Sequence, residues 1–280
     1  MPASGRGRLS VCATPIGNLE DVTLRLLRTL AESDAVAAED TRRTRKLLTA
    51  HGISAHLVSY HDANEASRTP ELVARLQRGE HLALVTDAGM PGISDPGYHL
   101  VRACIAAGIP VDVVPGPSAV LSALVASGLP TARFAFEGFL SRKAGERRRR
   151  LEALAGDDRT LVFFEAPGRV AVTLHDMLEV LGPRRAALAR ELTKVHEEVL
   201  RGTLHELAEA LEGREVKGEI ALVVEGKAQG EGDLAGALEM ARQLTQGGSP
   251  KREAAARAAT AFGVARRDIY QGLLREGGGA

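Results

Sequence analysis

The chain has 280 residues, 44% of them apolar, so it is long enough for about two ordinary domains, each with a real core. Its 36 Lys and Arg offset 36 Asp and Glu, which excludes a generally basic nucleic-acid coat but not a local basic patch. Aromatics make up only 3% and Trp is absent, so the core is aliphatic and few rings remain to stack on bases or sugars. The two cysteines, Cys12 and Cys104, lie far apart in apolar runs and read as buried, reduced thiols, with no disulfide framework and no Cys-rich metal site. No apolar run approaches the ~20 residues of a membrane span, and the start of the chain lacks the apolar core of a secretory signal. The expectation is a soluble, cytoplasmic protein with no membrane partner.

In chain order, Leu9–Thr14 predicts a strand, followed by the loop Pro15–Glu20 and a helix that Asp21 caps and that runs to Leu30. Ala35–Ala38 is a short strand, Thr41–His51 a helix and His56–Tyr60 a strand. Thr69 and Pro70 look like an N-cap and first helical residue, opening a helix that ends near Gly79. His81–Thr86 is a strand; after a glycine-rich loop, Asp95 and Pro96 open a helix to Ala107 that Gly108 closes. Ile109–Val114 is a strand, and Ser118 caps a helix to Ser127, closed by Gly128. Strands alternating with helices predict a parallel sheet covered on both faces.

Leu129–Arg133 reads as a boundary. Strands at Phe134–Phe139, Thr160–Glu165, Ala186–Arg190, Glu198–Gly202 and Glu219–Val224 follow, with Thr203-Leu-His-Glu206 as a capping box for a further helix. Gly226–Asp233 is a polar, glycine-rich linker. The remainder reads as helix, broken at Gly247–Pro250 and turning around Gly263 in the manner of a helix-turn-helix. The expected architecture is α/β: a parallel-sheet domain over 1–133, a second, mixed-sheet α/β domain over 134–231, and a small helical domain over 232–280.

The chain has no P-loop, dinucleotide fingerprint, zinc-protease helix or nucleophile elbow. Its 8 His are scattered, so no metal is expected. Two loops stand out instead, VTDAGMPGISDPG (Val85–Gly97) and VPGPSAV (Val114–Val120). Rich in Gly and Pro, they bare main-chain N–H and C=O groups, and each leads into a helix N-terminus. In open α/β sheets, ligands bind beyond the carboxyl ends of the strands. ATPIGNLED (Ala13–Asp21) and AAEDTRRTRKLL (Ala37–Leu48) should face the same crevice. In the second of these, Glu39 and Asp40 precede Arg42, Arg43, Arg45 and Lys46. Cations opening a helix oppose its macrodipole, so they read as a phosphate grip, with a solvated face as the alternative. Arg142–Arg150 holds six basic residues and one acid, and 251–275 six basic and two acidic. Clustered cations of this kind form either a solvated face or a polyanion contact.

These motifs, with SYHDANE, EGFLSRK, LVFFEAPGRV, ARELTKVHEE and GEIALVVEG in order, resemble the bacterial small-subunit ribosomal RNA methyltransferase I family of the tetrapyrrole methylase superfamily. The resemblance spans about residues 9–275. It implies two α/β domains with S-adenosylmethionine folded into the cleft between them, and a homodimer. It implies methylation of the 2′-hydroxyl of one cytidine in the decoding region of 16S ribosomal RNA, with the small ribosomal subunit as partner and no DNA. Carried over by motif, cofactor contacts fall at Pro15, Ile16, Asp87, Ala88, Gly89, Met90, Ile93, Ser118, Ala119, Glu165 or Ala166, Leu192, and Ile220 or Ala221. Two departures stand out. Pro15-Ile-Gly-Asn18 replaces the Gly-Pro-Gly-Asp pattern of the corrin-making branch, which weighs against a tetrapyrrole substrate. Met90 stands where relatives usually have Thr, which spares a backbone contact but not a hydroxyl one.

Methyl transfer from a sulfonium consumes positive charge, so a mainly neutral, backbone-lined pocket suits it. Holding oxygen, methyl and sulfur in line supplies most of the rate. A ribose hydroxyl also needs a proton acceptor, for which Asp40, Lys194, His196 and Glu197 are candidates. RNA contacts are expected at Arg42, Arg43, Arg45, Arg147, Arg148, Arg149, Arg150, Lys251, Arg252, Arg266 and Arg267. The rival readings are a porphyrinoid methyltransferase and an RNA-binding assembly factor with a vestigial cleft.

Overall fold

The computed structural model of the chain describes residues 7–227, 234–262 and 264–276; most of the expected linker, and Gly263, lie outside them. The first half contains β1 (Arg8–Cys12), α1 (Leu24–Glu32), β2 (Ala35–Ala38), α2 (Thr41–Ala50), β3 (Leu57–Ser59), α3 (Glu65–Gln77), β4 (His81–Val85), α4 (Tyr98–Ala106), β5 (Val111–Val114) and α5 (Ala119–Ser127). All strand pairs in its sheet are parallel, in the order β3-β2-β4-β1-β5. Side chains of a strand alternate between faces. Leu9, Val11, Leu82 and Leu84 therefore pack on Leu72, Leu76, Leu100 and Cys104 of α3 and α4. Cys12, Val36, Ala83 and Val85 pack on Leu26, Leu30, Leu47 and Leu48 of α1 and α2. Both cysteines are free and buried, and burial pushes their thiols up to about 12 for Cys12 and about 11 for Cys104, so neither is a nucleophile at neutral pH.

Three helix starts differ from the sequence reading. The N-cap of α1 is Thr23, whose hydroxyl accepts from Leu26 N, not Asp21. α3 begins at Glu65, so Pro70 lies inside it. Thr69 caps nothing because its hydroxyl meets the buried Tyr60 hydroxyl at 3.0 Å. α4 begins at Tyr98 behind Gly97, with Asp95 and Pro96 still in the loop. Ser118 does cap α5, and Gly128 closes it in the left-handed conformation.

The second half contains β6 (Phe134–Phe139), α6 (Ala144–Leu154), β7 (Thr160–Glu165), a short 3₁₀ turn at Pro167–Arg169, α7 (Val170–Leu181), β8 (Arg185–Arg190), β9 (Glu198–Thr203), α8 (Leu204–Ala210) and β10 (Ile220–Val224). Its sheet runs β6-β7-β10-β8-β9; β6 and β7 are parallel and the other pairs antiparallel, a mixed sheet. Thr203 and Glu206 form the capping box of α8. One face buries Leu161, Phe163, Leu188 and Leu222 against α6, α7 and α8. The other buries Val162, Ala189, Ala221 and Val223 against Val120, Ala123 and Leu124 of α5. α5 thus leaves the sheet whose last strand feeds it and covers the second sheet, joining the two halves. Arg201 of β9 adds bonds of 2.8 and 2.6 Å to the Ala126 carbonyl.

The chain ends in α9 (Leu234–Gln246), α10 (Lys251–Phe262) and α11 (Arg266–Glu276), which pack through Ala237, Ala241, Ala254, Ala255, Ala258, Ile269 and Leu273. Small side chains let these helices approach closely. Among the described residues, no helix is long and apolar enough to cross a membrane.

Candidate active site

The loops after β1 and β4 are tied together. Thr14 and Gly89 exchange backbone bonds of 2.9 and 3.1 Å, and the Thr14 hydroxyl donates to the Thr86 carbonyl at 3.1 Å. Gly89 sits at φ 77°, a left-handed conformation that favours glycine. Across the crevice, the turn after β8 holds Glu191 at φ 50° and Thr193 at φ 66°, costly for residues with a side chain. The Thr193 hydroxyl accepts from Asn18 N at 3.0 Å. A Cβ on Gly17 would lie 2.6 Å from Lys194 Cγ and 2.9 Å from the Leu192 carbonyl oxygen. Only a glycine lets these two loops meet and close that side of the crevice.

The crevice holds a cavity of about 380 Å³. Ile16, Ala88, Gly89, Met90, Ile93, Ser118 and Ala119 line it from the first half, and Glu165, Ala166, Leu192, Ile220 and Ala221 from the second. Pro15 and Asp87 do not reach it. They line an adjoining cavity of about 250 Å³ that shares Ile16, Ala88 and Glu219 with the first. Glu165 is buried and fully engaged: Thr173 Oγ1 donates to it at 2.6 Å, Ala166 N at 2.7 Å, and Arg169 pairs with it. The sequence reading missed Phe139 and Phe164, whose rings lie 5.6 Å apart in the wall, and Asp95. The signal for Phe139 was its place in EGFLSRK; that for Asp95 was its place in the long loop.

Residues 8–208 match the family described as Tetrapyrrole (Corrin/Porphyrin) Methylases. Over 271 residues the chain is 47% identical to the Ribosomal RNA small subunit methyltransferase I of Halalkalibacterium halodurans, a match covering 95% of this chain and 94% of that protein. The chain belongs to the tetrapyrrole methylases, in their ribosomal RNA small subunit methyltransferase I branch. It is also 49% identical over 221 residues to the protein of the same name from Thermotoga maritima, covering 79% of this chain and 99% of that one. Among solved structures, a Uroporphyrin-III C-methyl transferase from Thermus thermophilus complexed with S-adenyl homocysteine matches with a TM-score of 0.56 and 26% identity. That match covers 79% of this chain and 97% of the other.

The cavity of this methylase fits a cofactor made of an adenosine and a sulfonium-bearing amino acid. Its walls are mostly apolar, the buried Glu165 carboxylate is neutralised by Arg169, and the N-terminus of α5 opens into it beside Ser118. The Ser118 hydroxyl accepts from Leu121 N as the α5 cap and keeps its own O–H as a donor. Met90 packs partly against the core of the first half and also lines the cavity, where it brings no hydroxyl.

The sequence candidates for the proton acceptor are placed poorly for that role. Asp40 caps α2, accepting from Arg42 N at 2.8 Å, and pairs with the Arg42 guanidinium at 2.8 Å. That pairing holds its carboxyl well below the usual carboxylate range, which makes it a weak base. Lys194 bonds Glu191 at 2.7 Å and Glu219 at 3.1 Å. Burial alone would lower its pKa, but the two carboxylates outweigh it and raise it, so the ammonium keeps its proton. His196 is exposed on the outer turn and lines neither cavity. Glu197 accepts from Thr193 N at 2.6 Å and holds that turn. A different acidic group converges beneath the glycine loop. Asp87 N donates to Glu39 at 3.1 Å, and Asp40 N donates to Asp87 at 3.1 Å. Burial, with Glu39 and Asp87 nearby, pushes Asp95 up to about 7; burial also raises Glu39 and Asp87.

The expected RNA cations divide. Arg147 is not a surface contact: it is buried, and its guanidinium bonds the equally buried Asp176 at 2.6 Å. Arg148 also binds Asp176, at 2.8 Å, and Arg150 binds Glu137. Arg149 is exposed and makes no ion pair among the described residues. In α2, Arg42 pairs with Asp40, and Arg43 lies 3.4 Å from Asp87. Arg45 and Lys46 are exposed with no ion pair among the described residues. In the tail, Lys251 donates to the Leu273 carbonyl at 3.1 Å and so ties the start of α10 to the end of α11, while Arg252, Arg266 and Arg267 face solvent.

Proposed function

We propose that this methylase transfers the methyl group of S-adenosylmethionine to the 2′-hydroxyl of a cytidine in the decoding region of 16S ribosomal RNA. It acts in the cytoplasm on the small subunit, as a homodimer built from the three-part chain 1–133, 134–231 and 232–280. The observation that carries the cofactor reading is the 380 Å³ cavity, which is lined by the positions that the family resemblance assigns to the cofactor except Pro15 and Asp87. The ribosomal substrate is supported by the name shared by its relatives at 47% and 49% identity.

Ile16, Ala88, Gly89, Met90 and Ile93 would hold the cofactor from one side, and Leu192, Ile220 and Ala221 from the other. S-adenosylmethionine supplies an electrophilic methyl when bound. The protein's part is to hold the acceptor in line and exclude water. The lining is mostly apolar, and two of its carboxylates are already paired, Glu165 with Arg169 and Glu219 with Lys194. Little opposite charge is left to hold the sulfonium in the ground state, which favours a transition state in which its charge is being lost.

Labelled methyl transfer to small subunits from cells lacking the enzyme tests this, with the modified nucleotide mapped by nuclease digestion and mass spectrometry. One 2′-O-methylcytidine in the decoding region is expected. Cofactor binding without label in the RNA, and labelled product from an added porphyrinoid, would overturn it.

A further inference from the structure

We propose that the second cavity seats the acceptor ribose and its flanking phosphate, with Asp87 as the proton acceptor and Arg43 and Lys46 on the phosphate. This rests on the ribosomal reading above and gives that reading its acceptor site. The two cavities are neighbours that share Ile16, Ala88 and Glu219 in their walls, so a ribose held in one lies next to the residues that line the other. At about 250 Å³ it is the smaller of the two cavities, a size suited to one sugar and phosphate. No aromatic lines it, so the part of the nucleotide it takes is the backbone and not the base.

Its charges agree. Arg43, Lys46 and Lys194 line it from α2 and from the turn after β8, against Asp87 and Glu219. Glu219 is occupied by Lys194 at 3.1 Å, and Arg43 reaches Asp87 only at 3.4 Å. A phosphate can therefore draw Arg43 and Lys46 without breaking a short ion pair. Asp87 adjoins Ala88 at the junction, and its carboxylate is partly accessible. It faces Arg42 and Arg43 of α2, Asp40 at that helix's cap, Glu39 at the end of β2, and Asp95 in its own loop. Burial raises it above its ordinary value, as a carboxylate base requires.

The step balances. The ribose 2′-oxygen forms the new O–C bond as the methyl C–S bond breaks and its electron pair returns to sulfur, while Asp87 takes the hydroxyl proton. The products are a 2′-O-methyl ribose, the neutral thioether and a carboxylic acid that returns its proton to solvent.

The test uses the full chain with undermethylated small subunits. Asp87→Asn is expected to keep cofactor affinity, read by calorimetry, to within about twofold. It should keep KM and lower kcat by about 10²–10⁴, flattening the alkaline rise of kcat with pH, with partial recovery in Asp87→Glu. Arg43→Ala with Lys46→Ala should raise KM about tenfold or more and reduce the salt dependence of subunit binding by filter assay by about one unit of slope per lost phosphate contact. Wild-type kcat in Asp87→Asn, or unchanged subunit binding and salt slope in the double variant, overturns the proposal while transfer by the wild-type protein keeps the ribosomal reading. A wild-type protein that binds cofactor but transfers nothing to subunits overturns both.

Discussion

Two helices open with arginines, and they do different things. The cations of α6, Arg147, Arg148 and Arg150, are held by Asp176, Glu179 and Glu137. In α2, Arg45 and Lys46 stay exposed without an ion pair among the described residues, and Arg43 and Lys46 border the second cavity. In sequence the α6 stretch is the denser of the two. A charge count over one window cannot see carboxylates supplied by another element, and Asp176 lies on α7, 29 positions from Arg147. The difference separates a cation cluster that builds the fold from one available to a polyanion.

The largest effect should come from Arg147→Ala. Removing one partner of a buried pair costs about 3–5 kcal/mol, and the low end applies because Arg148 remains on Asp176. Denaturant unfolding should show this loss, with methyl transfer per folded molecule unchanged. Normal stability with weakened RNA binding would return α6 to the RNA surface. Gly17→Ala should come next, at about 1–3 kcal/mol, because the added methyl overlaps the turn carrying Leu192 and Lys194. Calorimetry should find weaker cofactor binding, since that turn closes the crevice; unchanged affinity would mean the contact does not shape the cavity. Deleting 233–280 should weaken subunit binding roughly tenfold, about 1.4 kcal/mol, and leave cofactor binding intact. Unchanged methylation by the truncated protein would remove the tail cations from the RNA surface.

The smallest effect concerns pH. Asp95 is raised from its ordinary value of 3.8 to about 7, so the folded state prefers it protonated. Its contribution to stability is full below the ordinary value and is lost as pH rises through about 7. Asp95→Asn should therefore raise Tm at pH 8 by a few degrees and less at pH 5. Equal shifts at both pH values would mean that ionisation of Asp95 is not what limits stability there.

Much of this was legible from residue order. Strand and helix alternation gave both sheets, because strands covered on both faces are short continuous apolar runs, such as Ala35–Ala38 and Ile220–Val224, that local sequence records. The cavity-lining loops were legible because Gly and Pro clusters mark where backbone is bared. What escaped were relations between distant residues. Thr69 looked like a cap because its partner Tyr60 stands outside the helix. Nothing near Gly17 in the loop Pro15–Glu20 marks the turn it meets, which carries Thr193, 175 positions from the neighbouring Asn18. α5 read as part of the first sheet's cover, and its packing on the second sheet depends on strands that come later in the chain. Asp40 and Lys194 looked chemically able, but their partners take that capacity away.

The most direct test of the contrast between α2 and α6 is the salt dependence of binding to undermethylated small subunits. Arg45→Gln with Lys46→Gln should be compared with Arg148→Gln plus Arg150→Gln, whose guanidiniums are held by Asp176, Glu179 and Glu137. The α2 pair should weaken binding and lower the slope of log affinity against log salt by about one to two, at roughly 0.7–0.9 per phosphate contact. The α6 pair should leave the slope near that of the wild-type protein. A lower slope in the α6 pair with no change in the α2 pair would contradict the account.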